Sequence, residues 1–196
     1  MGGLGGLDLR SGTPARSWCP EKGGCTDPVE ALAVAGECLG RSRGGLTSKI
    51  HLAVDGGGVP ISIILTEGQV GDNPQLLPLL EKISVRRRGP GRPRMIPDAV
   101  LADKAYSHPS TRAAMRAKRI RFTCPERSDQ IGRRQAKGSA GGRPPAFDRE
   151  EYKRRNLVER CFNRFKQFRD LATRYAKRAA YYTSEIILAS LVLRLR

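Results

Sequence analysis

The stretch from residue 49 to residue 65 constrains the fold more than any other part of this sequence. The run 49–54, in which apolar residues are interspersed with Lys49 and His51, and the apolar, β-branched run 59–65 are separated by Asp55 and three successive glycines. Such runs favour extended strands, and a short Asp/Gly cluster between them favours a tight reversal of the chain. The pattern therefore predicts a β-hairpin. Because an isolated hairpin is marginally stable in water, further strands or helices must cover its apolar face.

The rest of the chain alternates between helical and strand patterns. Asp72 and Pro74 are typical of a helix start, and apolar residues between 76 and 83 recur at helical spacing. The apolar run at 99–102 has the character of a buried strand. This order predicts an α/β fold with a mixed sheet and flanking helices. The predicted elements after the hairpin are helices at 72–83, 110–118, 148–169 and 183–195 and strands at 99–102 and 120–123.

Three segments have compositions that favour irregular structure. Residues 1–45 contain four Gly-Gly pairs, so we expect an irregular N-terminal arm, followed by a folded domain at 46–196. Residues 86–97 are rich in Arg, Pro and Gly and predict a basic loop. Residues 125–145 combine Arg, Lys and Gly with few apolar side chains, which predicts a mobile basic loop.

The chain is strongly basic, with 36 Lys and Arg against 19 Asp and Glu and a formal net charge of +17. Residues 1–100 carry 12 basic and 10 acidic residues, whereas residues 101–196 carry 24 and 9. A localised excess of this kind attracts polyanions and supplies sequence-independent affinity through counterion release. A solvated basic surface is the alternative for any single run. Because the excess extends over half of the chain and is interleaved with apolar periodicity, it favours nucleic acid as the partner.

The composition argues against export, membrane insertion and zinc binding. The longest apolar run, 186–193, has eight residues, which is too few to cross a bilayer. The Gly-rich start lacks the charged-then-apolar order of a signal peptide. The five cysteines form no C-x-x-C pair, and the two histidines complete no zinc-ligand spacing. We therefore expect reduced thiols in a cytoplasmic protein.

Asp103 directly follows the predicted buried strand at 99–102. In open α/β sheets, ligands and catalytic groups collect beyond the carboxyl ends of the strands. An Asp at this position can also serve as a turn or capping residue before a helix. Its position alone therefore leaves a catalytic role and a structural role open.

The predicted helix 148–169 has a polar face and an opposite apolar face. At 3.6 residues per turn, the carboxylate of Glu159 lies among cations on the polar face. It can form an exposed ion pair with Arg155, or it can join Asp103 in a site for Mg²⁺ and phosphate. The polar face comprises Tyr152, Arg155, Asn156, Glu159, Asn163 and Lys166, and the apolar face comprises Leu157, Cys161, Phe165 and Phe168.

The run from Tyr152 to Lys166 resembles a signature of bacterial transposases. It has the pattern Tyr-x2-Arg-x3-Glu-x6-Lys of DDE-type insertion-sequence transposases, in the group of insertion sequences four and five. Further segments extend the resemblance over about residues 40–196. They are Gly40–His51, Gly68–Asn73, Leu101–Tyr106 and Ala172–Tyr175.

This resemblance implies a ribonuclease H-like fold and DNA transposition by metal-dependent phosphoryl transfer, with strand cleavage and strand transfer. Asp103 would be the second carboxylate of the Asp-Asp-Glu triad and Glu159 the third, and both would hold Mg²⁺ or Mn²⁺. Tyr152, Arg155 and Lys166 would position DNA phosphates. The implied partners are the element ends and target DNA, together with a second copy of the chain or a full-length transposase. The implied location is the bacterial cytoplasm, at the nucleoid.

The first Asp of the triad is the part of the family pattern that the sequence does not supply. The family carries it on the strand before the hairpin, in an Asp-Ser-Thr or Asp-Thr-Thr context, and neither tripeptide occurs here. Asp8 and Asp27 are the upstream candidates, and Asp55 is most simply a turn residue. We therefore expect a sheet whose first strand is missing, in a chain that is N-terminally truncated or frame-shifted.

Three interpretations of the function remain open at this point. The chain is a transposase catalytic domain, a catalytically dead DNA-binding remnant that lacks the first triad Asp, or a ribosomal or other RNA-binding basic protein. An RNA-binding basic protein would explain the charge of the chain but not the positions of Asp103 and Glu159. Whether the chain is an active enzyme depends on the first carboxylate, and we expect the chain alone to cleave or join DNA poorly.

Overall fold

The structure is a computed structural model that describes residues 3–6, 37–42, 45–87 and 89–195. Its mixed α/β composition confirms the predicted fold class. The strands are β1 (Gly3–Gly6), β2 (Gly40–Ser42), β3 (Gly45–Val54), β4 (Pro60–Glu67), β5 (Ala99–Ala102) and β6 (Arg121–Thr123). The α-helices are α1 (Leu76–Glu81), α2 (Pro109–Ala117), α3 (Ser128–Ala136), α4 (Arg149–Lys153), α5 (Asn156–Phe165), α6 (Arg169–Thr173) and α7 (Ala179–Leu195). Short 3₁₀ helices lie at Asn73–Gln75, Lys104–Tyr106 and Gly138–Gly141.

The strands pair in a sheet in which β1 lies between β3 and β5. β1 is antiparallel to β3 and parallel to β5, with Gly6 opposite Ala53 on one side and Ala102 on the other. β6 extends the sheet parallel to β5, and both β2 and β4 pair with β3. The carboxyl ends of β1 and β5 therefore lie at the same edge of the sheet, where Asp103 follows β5.

The strand β1 corrects the expectation that the first strand is missing. Three of its four residues are glycine, which is a poor strand former, and the sequence therefore gives no strand signal here. Its backbone is nevertheless paired with a strand on each side, so ladder hydrogen bonds hold the segment in the sheet. Both β1 and β2 fall within the predicted irregular arm 1–45, of which residues 7–36 lie outside the described part of the chain.

The predicted hairpin is confirmed in β3 and β4, which pair with each other. At the turn, the N–H of Asp55 donates to the carbonyl oxygen of Val59 at 2.9 Å. The Asp55 carboxylate accepts from the N–H groups of Gly57 and Val59 at 2.8 and 2.9 Å. Gly58 has φ +80°, a conformation in which a Cβ would be strained. Asp55 is therefore the turn residue that the sequence predicts.

The chain divides into two compact units. The first unit contains the hairpin turn, β5, β6 and helices α1 to α4. Its core includes both Ala102 and Tyr106, so the segment between them is held at each end and Asp103 is fixed in position. The described residues of this unit are 3–6, 52–63, 71–87 and 89–161. The core cluster comprises Leu76, Leu80, Ile83, Val100, Ala102, Tyr106, Met115, Ile120 and Cys124.

The second unit contains α6 and α7. The buried hydroxyl of Tyr182 donates to the carbonyl oxygen of Leu171 at 3.0 Å. Arg174 follows α6 in the left-handed conformation, and its guanidinium donates to the carbonyl oxygens of Glu37 and Cys38 at 2.8 and 3.4 Å. The described residues of this unit are 37–42, 45–51, 64–70 and 162–195.

The predicted mobile loop 125–145 is wrong, because this segment contains α3 and a 3₁₀ helix. Its few apolar residues give no helical period, and polar contacts hold α3 instead. The side chain of Gln130 accepts from the N–H of Arg127 at 3.4 Å and donates to the carbonyl oxygen of Ser107 at 3.3 Å. Arg134 and Glu126 form an ion pair in which both side chains are less than a fifth exposed.

The predicted single helix 148–169 is wrong in its continuity, since α4 and α5 are separate. Asp148 caps α4 as predicted, accepting from two N–H groups of the first turn at 3.0 and 2.9 Å. At the break the backbone bonds tighten to the i to i−3 pattern, as in the 3.0 Å bond from the Arg155 N–H to the Tyr152 carbonyl oxygen. Tyr152 and Glu159 therefore lie on two successive helices.

The C-terminal helix α7 is confirmed, and it begins four residues earlier than the pattern indicates. One side is buried and the other exposes large apolar side chains to solvent. No helix in the described ranges is long and apolar enough to cross a membrane. The buried positions are Tyr182, Ile186, Ala189 and Leu193, and the exposed ones include Ile187, Leu188, Leu191, Val192 and Leu195.

Candidate active site

Asp103 lies at the carboxyl edge of the sheet, between β5 and the 3₁₀ helix that follows. Its carboxylate accepts from the N–H of Lys104 at 2.7 Å and so caps that helix. The side chain is half-buried, in contrast to the fully buried residues of β5 before it. The capping role that the sequence left open is thus real. It uses one hydrogen bond, and a carboxylate has further lone pairs for a cation or a donor.

A buried thiol lies behind Asp103. The S–H of Cys124 donates to the carbonyl oxygen of Asp103 at 3.1 Å, and Cys124 is 1% exposed. Burial raises the pKa of this thiol to about 12; Arg112 lowers it in part, and the charge of Asp103 raises it further. Because the thiolate is the reactive form of cysteine, Cys124 is inert at neutral pH and serves as packing behind the carboxylate.

Tyr152, on α4, lies close enough to Asp103 for the carboxylate to raise the pKa of its phenol. Burial raises the pKa of the Tyr152 phenol above its usual value, Arg155 opposes the shift, and Asp103 and Cys124 add to it. The phenol therefore stays protonated at neutral pH and keeps its donor. The ring of Phe147, 5.2 Å away between centroids, packs against Tyr152.

Arg155 joins the two helices of this region. Its guanidinium lies 5.9 Å from the centroid of the Tyr152 ring and donates to the Glu159 carboxylate at 2.5 Å. The Arg155 side chain is 20% exposed and that of Glu159 is 48% exposed. The Nε atom of Arg155 is buried and has no hydrogen-bond partner among the described residues. The cation is thus anchored by Glu159 and keeps a donor for another acceptor.

Asp103 and Glu159 are linked through Tyr152 and Arg155 in one continuous series of contacts. Tyr152 lies near Asp103, the guanidinium of Arg155 lies over the ring of Tyr152, and Arg155 forms an ion pair with Glu159. Lys166 is exposed, directly follows α5 and takes part in none of the contacts described for these four residues. Four of the five site residues predicted from sequence are therefore connected, and the fifth is not.

Asp55 does not supply a third carboxylate at this edge. β3 is antiparallel to β1, so Val54 lies level with Leu101 of β5 through their shared partner Gly5. Asp55 is one residue further from the edge and Asp103 is two residues beyond Leu101. At 3.3 Å per residue, the two acids are offset by about 10 Å along the strands.

The donor set suits a hard divalent cation with few protein ligands. Within the described ranges, no group of three or more His, Cys, Asp or Glu side chains is placed to hold a metal. Mg²⁺ commonly uses one or two carboxylates and completes its shell with water and substrate phosphate. Asp103 and Glu159 provide carboxylate oxygens, which are the donor type that hard divalent cations prefer.

Several residues that shape this site are not indicated by any pattern in the sequence. Cys124 and Phe147 are distant from Asp103 in sequence and show no motif. Glu151 is visible only as a first-turn acid, but its carboxylate accepts from Thr123 at 3.3 Å and lies 3.8 Å from Arg121 of β6. These contacts attach α4 to the sheet. Only the fold brings the residues together, so no local signal could have found them.

The chain was also compared with known proteins. A family model described as "Transposase DDE domain" matches residues 30–193. The chain belongs to this family. The match includes Asp103, Tyr152, Arg155, Glu159 and Lys166 and confirms the resemblance found in the sequence.

Two relatives of this chain are attributed by name to insertion sequences. One, from Burkholderia cepacia, is named "Putative transposase for insertion sequence element IS402" and is 34% identical over 139 residues, which are 71% of this chain and 57% of the relative. The other, from Brucella ovis, is named "Putative transposase for insertion sequence element IS6501" and is 31% identical over 151 residues, 77% of this chain and 100% of the relative. The chain thus spans little more than half of one relative and the whole of the other. No solved structure matches it.

Proposed function

We propose that this chain performs the phosphoryl-transfer chemistry of an insertion-sequence transposase, with Asp103 and Glu159 as its acidic residues. The observation that carries the proposal is the series of contacts from Asp103 through Tyr152 and Arg155 to Glu159, at the carboxyl edge of the sheet. Family membership favours this function over a DNA-binding remnant and over an RNA-binding basic protein.

In this proposal each residue of the series has a distinct task. Tyr152 holds the Asp103 carboxylate in orientation through its hydroxyl, which the raised pKa keeps protonated. Arg155 orients Glu159 through their ion pair, and its positive charge would favour a DNA phosphate beside the two carboxylates. Lys166 contributes a further phosphate contact from beyond α5. No nucleophilic side chain is required, and the inert thiol of Cys124 is consistent with that.

The two carboxylates are proposed to hold Mg²⁺ or Mn²⁺. Bound there, the metal would supply an activated hydroxyl and offset the charge on the transferring phosphate. Asp8 is the proposed source of the remaining carboxylate of the triad, since it follows β1 by two residues in the sequence. It lies outside the described residues, and its contribution is open to direct test by Asp8→Asn.

The same proposal extends to the sheet type, the catalytic domain, the DNA partners and the location of the chain. The order in which β3 is antiparallel to β1 while β5 and β6 are parallel to it supports a ribonuclease H-like sheet. Residues 46–196, together with β1, would form the catalytic domain. The DNA partners would be element ends and target, bound with a second copy or a full-length transposase. The proposed location is the bacterial cytoplasm, at the nucleoid.

The test is nicking of supercoiled plasmid by the purified chain with Mg²⁺ or Mn²⁺. We expect nicking that requires the metal and is lost in both Asp103→Asn and Glu159→Gln, because each variant removes a carboxylate charge with little change of shape. The matched control is Glu150→Gln, which removes an exposed acid of α4 that pairs only with Lys153 among its described neighbours. Nicking that persists in Asp103→Asn and Glu159→Gln would exclude the proposed site. Absence of nicking by the wild type, with intact DNA binding, would favour the remnant.

A further inference from the structure

The basic segment that follows α1 forms a loop whose two ends are paired with each other. This loop lies at the opposite end of β5 from Asp103. Val85 and Arg94 form an antiparallel bridge, with N–H to carbonyl distances of 2.9 and 2.8 Å in the two directions. Asp98 directly precedes β5, whereas Asp103 directly follows it. A strand of four residues spans about 13 Å, so the described residues of this loop, 85–87 and 89–97, lie at the opposite edge of the sheet from the candidate active site.

An open groove of about 960 Å³ lies beside this loop and is bordered by four cations. They are Arg87, Arg94, Lys118 and Arg119. Only two carboxylates offset them: Asp98 pairs with Arg94, and Glu81 lies 3.8 Å from Lys118. Among the described residues, no ion pair reaches Arg87 or Arg119. The groove therefore has an excess of positive charge without an internal partner.

Arg119 occupies a position where the backbone favours glycine. It follows α2 with φ +55°, and the N–H groups of Arg119 and Ile120 close the turn on the carbonyl oxygens of Arg116 and Met115 at 3.0 and 2.9 Å. This is the C-terminal turn at which helices commonly use glycine, because a Cβ strains the left-handed conformation. An arginine retained there at a cost in strain points to a function for its side chain.

The loop also presents apolar side chains beside the cations. Met95 and Ile96 are 55% and 59% exposed, although both border the groove. A Cβ built at Gly89 or Gly91 would meet no atom within 4 Å, so this end of the loop projects into open space. A narrow Gly/Pro backbone flanked by arginines, with exposed Met and Ile at its base, is the combination that proteins use to enter the minor groove of DNA.

We propose that the loop 85–97 and the turn at Lys118 and Arg119 form a second DNA-binding surface, which engages the minor groove of duplex DNA away from the residues that would cut it. This inference rests on the proposed function only in taking DNA as the substrate. A free phosphate would need a compact pocket, whereas these cations border an open groove. Arg92 and Arg94 follow the minor groove, and Arg87 and Arg119 contact the phosphates beside it.

Binding is measured by fluorescence anisotropy in EDTA, so that cleavage plays no part, with duplexes of about 30 base pairs that are A·T-rich or G·C-rich. We expect tighter binding to the A·T-rich duplex and competition by a small minor-groove ligand, since A·T tracts have narrow minor grooves that attract arginine. The double variant Arg87→Ala/Arg119→Gly should bind about tenfold more weakly or worse. The slope of the logarithm of the binding constant against the logarithm of the salt concentration should also become shallower by about 1.8, because each lost phosphate contact removes about 0.9.

The control is the double variant Lys177→Ala/Arg194→Ala, which removes the same charge from exposed positions of the second unit. It should retain most of the affinity. Arg119→Gly should leave the thermal midpoint unchanged or raise it, which separates lost contact from lost folding. Equal loss of affinity in the two double variants would overturn the proposal, as would equal binding to both duplexes without competition.

Two further outcomes separate this surface from the proposed function. Selective loss of affinity in Arg87→Ala/Arg119→Gly, in a chain that does not nick plasmid, would support the surface and exclude the activity. Nicking that depends on Glu159, with the DNA affinity of Arg87→Ala/Arg119→Gly unchanged, would support the activity and exclude the second DNA-binding surface. A membrane partner is tested with vesicles containing phosphatidylserine: binding of vesicles but not of duplex through these residues would overturn the assignment to DNA.

Discussion

The buried thiol behind Asp103 makes a quantitative prediction about stability at alkaline pH. The pKa of Cys124 is about 12 in the folded chain, against 9.0 for an ordinary cysteine. The folded state therefore binds the proton more tightly than the unfolded state does. This contribution to stability is complete below about pH 9 and is lost as the pH rises towards 12.

The size of the effect follows from the two pKa values. Between about pH 7.5 and pH 10 the unfolded thiol becomes mostly ionised while the folded thiol stays protonated. Proton linkage then lowers the free energy of unfolding by about 1.4 kcal/mol over this interval. The raised pKa values of Tyr152 and Tyr182 also lower the free energy of unfolding as the pH rises further. A comparison of variants is therefore needed to isolate the thiol.

The assay is urea unfolding of the wild type and of Cys124→Ala at about pH 7.5 and about pH 10, followed by circular dichroism. Cys124→Ala should be less stable at neutral pH, because it leaves a small cavity, but its stability should fall less at alkaline pH. The difference between the two pH-dependent losses should be about 1.4 kcal/mol. Equal losses in the two proteins would refute the reasoning and would show that Cys124 is not held protonated against Asp103.

Other residues of the two units give sharper local tests. Tyr152→Phe should lower the plasmid-nicking rate about tenfold or more without unfolding the chain, because a hydrogen bond to a charged group contributes about 1.5 to 3 kcal/mol; an unchanged rate would exclude Tyr152 as an orienting residue. Arg155→Ala should cost less than about 1 kcal/mol in urea unfolding, since Glu159 is half exposed, yet should weaken DNA binding. Tyr182→Phe should cost about 1 kcal/mol in stability while nicking stays unchanged, and a loss of nicking would contradict a purely structural role.

Elements that depend on neighbours in the sequence could be predicted from the sequence. The hairpin of β3 and β4 follows from two apolar runs around Asp55 and its glycines, and Asp148 caps α4 through N–H groups two and three residues away. The buried strand β5 and Asp103, which directly follows it, could also be predicted from the sequence. The signature from Tyr152 to Lys166 identified the family before any coordinate was considered, because its spacing is a property of the chain.

Elements that depend on distant residues could not be predicted in the same way. β1 is a strand because β3 and β5 pair with it, although its own glycines argue against one. α3 is helical through polar contacts that include a bond to Ser107, 23 residues away.

The candidate site shows the same division between local and distant information. Arg155 and Glu159 are four residues apart, so their ion pair was predictable from helical spacing. Tyr152 and Asp103 are 49 positions apart in the sequence and lie close together because contacts such as that of Glu151 with Thr123 attach α4 to the sheet. The sequence by itself thus determined which residues are present and which short elements they form. Which side chains meet at the edge of the sheet was decided by tertiary packing, because no local pattern specifies a contact between separate elements.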